Sequence, residues 1–169
     1  MSKRVSSAWL VLAIFLLVAL DQLTKVYVNT HFELGLERPV IPGLLNLTFV
    51  RNQGAAWGIL QGWHLVLAVL AVAMLVILAV FRKRIFGSGH IANIVFVLLF
   101  AGIAGNFADR VFLGYVVDFI DFFHGNWHFP AFNIADSCIC TGVFLYMFRS
   151  FFQRKECQVE IASDKGKTE

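Results

Sequence analysis

Four long apolar runs constrain this chain more than any other feature. They cover residues 8–28, 62–81, 90–108 and 134–152. A helix rises 1.5 Å per residue, so a run of about 20 apolar residues crosses the hydrocarbon core of a bilayer. The composition leaves little room for another reading. Of 169 residues, 59% are hydrophobic and 15% charged, whereas a soluble domain has about 45–50% and about 25%. A chain of 19.0 kDa has no interior large enough to hide that excess. The sequence predicts an α-helical membrane protein with four transmembrane helices.

Charge placement orients the spans. Lys3, Arg4, Arg82, Lys83, Arg84, Arg149, Arg154, Lys155, Lys165 and Lys167 fall before the first span, between the second and third, or at and after the end of the fourth. The other side offers only Arg38, Arg51 and Arg110. The positive-inside rule then puts both termini in the cytoplasm. No small-x-small cleavage site follows the first apolar run, so it reads as an uncleaved span rather than a secretory signal. The net charge of +3 is too small to suggest nucleic acid. One integral-membrane domain is expected over residues 1–155, with an unstructured polar cytoplasmic tail over 156–169. Cys138, Cys140 and Cys157 are not placed to form an external disulfide, and the i,i+2 spacing of the first two puts them on different helix faces.

The unusual chemistry is in the two long outer loops. Leu45, Leu47 and Phe49 alternate with Asn46 and Thr48, the period of a half-buried strand. Pro39, Pro42 and Gly43 punctuate the approach to it. Residues 57–60 would suit a short interfacial helix. Further on, residues 116–123 and 127–132 read as two strands about a turn at His124, Gly125 and Asn126. A small sheet on the outer membrane face follows. Ala101, Gly102, Ala104 and Gly105 are small enough to let the third helix pack closely against its neighbours.

Polar residues inside this apolar frame need partners. Asp21 and Lys25 are one helical turn apart and read as an ion pair fixing the first helix. Asn106 ends the third span beside Asp109 and Arg110, which alone would pass as solvated headgroup residues. Asp118 sits in the apolar segment Val116-Val117-Asp118-Phe119-Ile120. Asp136 opens the fourth span, where an N-cap is the bland explanation. The chain from Asp118 returns to the membrane at Asp136, so both acids can meet in one interfacial cleft. Two adjacent carboxyl groups share a proton near neutrality, and one can activate water while the other protonates a carbonyl oxygen or leaving amine. No serine or cysteine lies near a histidine to compete. Metal binding through His124, His128, Asp118 and Asp121 is a lesser alternative, and no metal or cofactor is assigned. A small channel or transporter using interfacial acids, and a non-enzymatic assembly or anchoring protein, are the rivals at this level.

Five ordered segments then define a resemblance: Asp21-Gln22-Leu23-Thr24-Lys25, Asn52-Gln53-Gly54-Ala55-Ala56-Trp57, Gly105-Asn106-Phe107-Ala108-Asp109-Arg110, Val116-Val117-Asp118-Phe119-Ile120 and Phe132-Asn133-Ile134-Ala135-Asp136-Ser137. With the four spans, the chain resembles the lipoprotein signal peptidases (signal peptidase II) of bacterial inner membranes over about residues 8–152. It departs in having Trp57 where that family often has Phe. The resemblance implies a metal-independent aspartic endopeptidase that removes the signal peptide from a diacylglyceryl-modified prolipoprotein, cutting just before the lipidated cysteine. It implies a catalytic pair at Asp118 and Asp136. Asn52, Gly54, Asn106, Arg110 and Asn133 would line the substrate pocket, and Asp21, Lys25 and Asp109 would support it. It also implies a sheet cradle and outer helix on the four spans. A monomer without cofactor is expected, meeting membrane-held prolipoprotein and lipid at the extracytoplasmic interface, where Trp57 and Leu60 would wall the acyl chains.

Overall fold

In a computed structural model, the chain is described over residues 7–55 and 59–165, with side chains as far as residue 152. The element order is α1 (Ser7–His31), β1 (Glu37–Ile41), β2 (Leu45–Asn52), α2 (His64–Phe86), α3 (His90–Phe112), β3 (Val116–His124), β4 (Trp127–His128) and α4 (Ile134–Lys165). Four helices are long and apolar enough to cross a membrane, the fourth over Ile134–Phe152. Their outward faces are apolar and exposed, as at Leu16, Leu23, Val69 and Phe144. Lipid is the solvent such faces require.

Helix α3 is the central span, packed against α1, α2 and α4. Its small residues explain why. A Cβ on Gly102 would overlap the Ala135 carbonyl and the Ile139 side chain, and one on Gly105 would stand 2.5 Å from Asp21 Oδ2. Close approach of α1 and α4 to α3 therefore depends on the missing side chains. Toward the start of α3, an apolar cluster joins Leu10, Leu78, Phe86, Ala92, Val95, Phe96 and Val97. A second cluster joins Val28 and Phe32 of α1 to Phe49, Val117 and Phe119 of the sheet. The buried polar residues of α1 and α3, Asp21, Lys25, Asn106 and Asp109, occupy the stretch of helix between these two clusters.

The sheet is antiparallel in the order β1-β2-β3-β4. Asn46 of β2 faces Asp121 of β3 and Val50 faces Asp118, with an irregularity between Leu47 and Val50. Strand β1 was not expected, because Pro39 and Pro42 read as punctuation. Pro39 is accommodated because β1 is an edge strand, where a missing N–H costs no ladder bond. The second outer loop folds as expected into a hairpin, although β4 is only two residues long and Phe132 adds a lone bridge to Ile120.

Two expectations need correction. Residues 59–62 form turns, with Leu60 at φ 61°, so the described part of the expected interfacial helix is not helical; residues 56–58, including Trp57, lie outside the described residues. The tail expected to be unstructured from residue 156 continues α4 as far as Lys165, while 166–169 lie outside the described residues, as do Lys3 and Arg4.

Candidate active site

The site begins at the N-terminus of α4. Asn133 is the capping residue: its Oδ1 accepts the Asp136 amide at 2.9 Å, and Asp136 Oδ2 accepts the Asn133 amide at 3.3 Å. This reciprocal arrangement is a capping box. It corrects the reading of Asp136 as an N-cap, since Asp136 is the third helical residue and Asn133 holds the cap. The carboxylate of Asp21, from α1, accepts the Ala135 amide at 2.8 Å. Acids at this helix end also meet the positive end of its dipole.

Asn133 is fully buried and its side-chain amide reaches the second acid. Asn133 Nδ2 donates to Asp118 Oδ1 at 2.7 Å, with Val117 O and Asn106 Oδ1 each at 3.3 Å. One residue thus bonds both Asp118 and Asp136. Asn52, at the end of β2, donates from Nδ2 to Asp118 Oδ2 at 3.0 Å, while its Oδ1 accepts the Gly54 amide at 2.9 Å. Asn106 donates from Nδ2 to Asp136 Oδ1 at 2.7 Å. Asp118 is buried rather than facing solvent as a loop acid would. Burial first, and then the neighbouring charge of Asp136, push its carboxyl up to about 7, against the opposing pull of the Asn52 and Asn133 amides and of Lys25.

Arg110 ties α3 to the loop after β2, donating to Asn106 O at 3.2 Å and to Gly54 O at 3.0 Å. Gly54 has no room for a side chain, because a Cβ would stand 2.5 Å from Ile59 O and 3.1 Å from Gln61 N. The Ala55 amide bonds Ile59 O at 2.7 Å, closing that loop beside the acids.

Behind the pair lies an ionic cluster. Lys25 Nζ is 2.8 Å from Asp21 Oδ2 and 3.0 Å from Asp109 Oδ2, and all three side chains are almost wholly buried. The same ammonium donates to Asn106 Oδ1 at 2.9 Å. Asp109 Oδ2 also accepts the Val117 amide at 3.1 Å, one residue before Asp118. Asp109 is therefore not a solvated headgroup residue. Gln22 belongs here as well, donating to Asp109 Oδ1 at 2.9 Å, to Gly105 O at 3.1 Å and to Asp21 Oδ2 at 3.2 Å. The sequence analysis quoted Gln22 but gave it no role, although an amide within an apolar span was signal enough to seek partners for it.

All ten residues singled out from the sequence converge on this one region. Of the lesser metal set, Asp121 and His128 meet each other away from Asp118, and His124 is not among their partners. Cys138 is buried and Cys140 exposed, on different faces of α4.

Fold and site together define a class: a four-helix membrane protein with a buried, amide-held pair of carboxyl groups at the ends of its third and fourth spans. The family model described as signal peptidase (SPase) II matches residues 13–152, and the chain belongs to that family. It is 40% identical over 168 residues to the lipoprotein signal peptidase of Photorhabdus laumondii, covering 95% of this chain and 99% of the relative. Against the enzyme of that name from Bacillus pumilus it is 39% identical, covering 84% and 92%. A solved bacterial membrane enzyme, determined by the in meso method at 2.3 Å resolution, superposes with a TM-score of 0.79 at 37% identity, covering 88% of this chain and 91% of that one.

Proposed function

We propose that this chain removes the signal peptides of prolipoproteins as an aspartic endopeptidase, with Asp118 and Asp136 as its catalytic pair. The observation that carries the reading is that Asn133 bonds both carboxyl groups, while no Lys or Arg among the described residues forms an ion pair with either. Buried acids held only by neutral amides retain a proton that moves near neutrality.

The chemistry follows from the two environments. Asp118 carries the shared proton, consistent with a carboxyl group raised to about 7. Asp136, only half-buried, takes a proton from water as the water oxygen attacks the scissile carbonyl carbon. Asp118 donates its proton to the carbonyl oxygen, giving a neutral gem-diol. Collapse breaks the C–N bond: the leaving amine takes the proton from Asp136, and Asp118 recovers one from the diol. A carboxylic acid and an amine leave, and the pair returns to its starting state.

Asn52, Gly54, Asn106, Arg110 and Asn133 line the cleft, and in this reading they hold substrate backbone and orient the pair. Asp21, Lys25 and Asp109 hold the helices that carry it. The bond cleaved is the one before the diacylglyceryl cysteine, whose acyl chains keep it at interfacial depth. Basic residues concentrated at the opposite ends of the spans support cytoplasmic termini and an extracytoplasmic active site. The single helical unit supports a monomer within the bacterial inner membrane.

The decisive test is purified protein acting on a prolipoprotein peptide with and without the diacylglyceryl group, in one detergent. Burial of each methylene is worth about 0.8 kcal/mol, so kcat/KM is expected to be far higher for the lipidated peptide. Equal values would make the protein a general intramembrane peptidase. Chelators are expected to leave turnover intact. For orientation, a reporter fused after Glu169 should be active only in its cytoplasmic form.

A further inference from the structure

The sheet carries a second cluster of ligating side chains on which the proposed cleavage does not draw. Glu37, Asp121 and His128 each offer a ligand atom, and these atoms all lie within 4.8 Å of one another. His128 Nδ1 is 3.0 Å and 3.1 Å from the two Asp121 oxygens. Asn46 Nδ2 lies between the acids, donating to Glu37 Oε2 at 3.2 Å and to Asp121 Oδ2 at 3.4 Å. The four residues come one from each strand, in the order β1, β2, β3 and β4. Asp121 is three residues beyond Asp118, so strand alternation turns it to the other face of β3.

We propose that this cluster binds a divalent transition metal ion of the zinc class, clipping all four strands together. Three observations support it. Asp121 is 4% exposed, and no Lys or Arg among the described residues pairs with it. A buried carboxylate beside a second acid, with one imidazole for company, leaves negative charge that a cation offsets. The donor set is one imidazole nitrogen and two carboxylate oxygens, which suits zinc and its neighbours rather than magnesium or calcium. Ligands at about 2.1 Å from a tetrahedral ion stand about 3.4 Å apart, so the existing separations need to close by little. The His128 ring is already held by stacking on Phe123, centroids 5.4 Å apart, and Asn46 orients both acids as an outer-sphere partner. The ion's role here is to hold the sheet, and Glu37 was invisible to sequence reasoning because 84 residues separate it from Asp121.

The test uses the full, tag-free chain in detergent, stripped with chelator and then dialysed. Cobalt(II) is titrated for its visible d–d bands and zinc(II) by calorimetry, with thermal midpoints recorded in parallel. One equivalent is expected to bind in the micromolar range and to raise the midpoint by several degrees. E37Q and H128A are each expected to weaken binding at least tenfold, while H124A leaves it unchanged. E37Q alters an exposed side chain, so it separates loss of a ligand from loss of fold. Absence of binding, or equal binding by wild type, E37Q and H128A, would overturn the proposal. Cleavage by the stripped protein should continue, as an ion on the far face of β3 from Asp118 requires. Cleavage lost on stripping and restored by zinc would move the ion to the catalytic pair and overturn its assignment to the sheet.

Discussion

Two pairs of buried acids stand side by side in this molecule, and they are neutralised differently. Asp21 and Asp109 share the ammonium of Lys25 at 2.8 and 3.0 Å. Asp118 and Asp136 have amides: Asn52 and Asn133 for the first, Asn106 and the Asn133 backbone for the second. An ammonium fixes the charge on its acids and makes them structural. Amides solvate a carboxylate without committing it, so the proton remains available. Asn106 joins the two sets, accepting from Lys25 and donating to Asp136, so the ionic cluster orients the reactive one.

The comparison is broken most completely at the reactive pair. Asp118→Asn and Asp136→Asn should each reduce kcat by about 10⁴-fold, the upper end for a positioned acid or base, with the protein still folded in the membrane. Substantial turnover by either variant would remove that residue from the mechanism. The converse is expected at Lys25. Lys25→Met leaves Asp21 and Asp109 buried without their cation, a loss of about 3–5 kcal/mol that should appear as a lowered thermal midpoint and reduced accumulation in membranes. A stable, well-accumulated Lys25→Met protein would mean that Gln22 and the backbone amides suffice.

A smaller effect probes the amides that join the sets. Asn106→Ala and Asn133→Ala each remove a hydrogen bond to a charged group, worth about 1.5–3 kcal/mol, and should slow turnover about tenfold to a hundredfold. Asn133→Ala also removes the α4 cap, costing about 1 kcal/mol of stability. Turnover falling with stability unchanged in Asn106→Ala would separate orientation from fold. Wild-type rates in both would make these amides purely structural.

The four spans, the hairpin and the meeting of Asp118 with Asp136 were legible in the sequence, for reasons that differ. Spans announce themselves by length and apolarity alone. The two acids were legible because each interrupts an apolar segment at the same membrane depth. Asp109 looked ordinary because it stands beside Arg110 at a helix end, and only the packing of α1 on α3, through Gly105, shows it buried against Lys25. Strand β1 was hidden by its prolines, which are tolerated at an edge and nowhere else in a sheet. The cap at Asn133 was masked by Asp136, since either residue type caps a helix and only the backbone decides which position it holds.

The finest expected difference between the two pairs is in how stability responds to pH. A carboxyl group whose folded value is about 7, against about 3.9 when unfolded, binds more protons in the folded state across that window. Stability therefore falls as pH rises from about 4 through about 7, because the unfolded chain releases the proton first. Asp118 is fully favourable to folding only below its unfolded value, and that contribution is gone above its folded one. Wild-type protein in detergent should show a thermal midpoint that declines between pH 5 and pH 8, and Asp118→Asn should flatten the decline because asparagine does not titrate. The same group should give kcat/KM an alkaline limb near pH 7, as the acid that protonates the carbonyl oxygen is lost. A midpoint curve for Asp118→Asn parallel to that of wild type would show that the proton is not held at Asp118, and Asp136→Asn would then be the variant whose curve flattens.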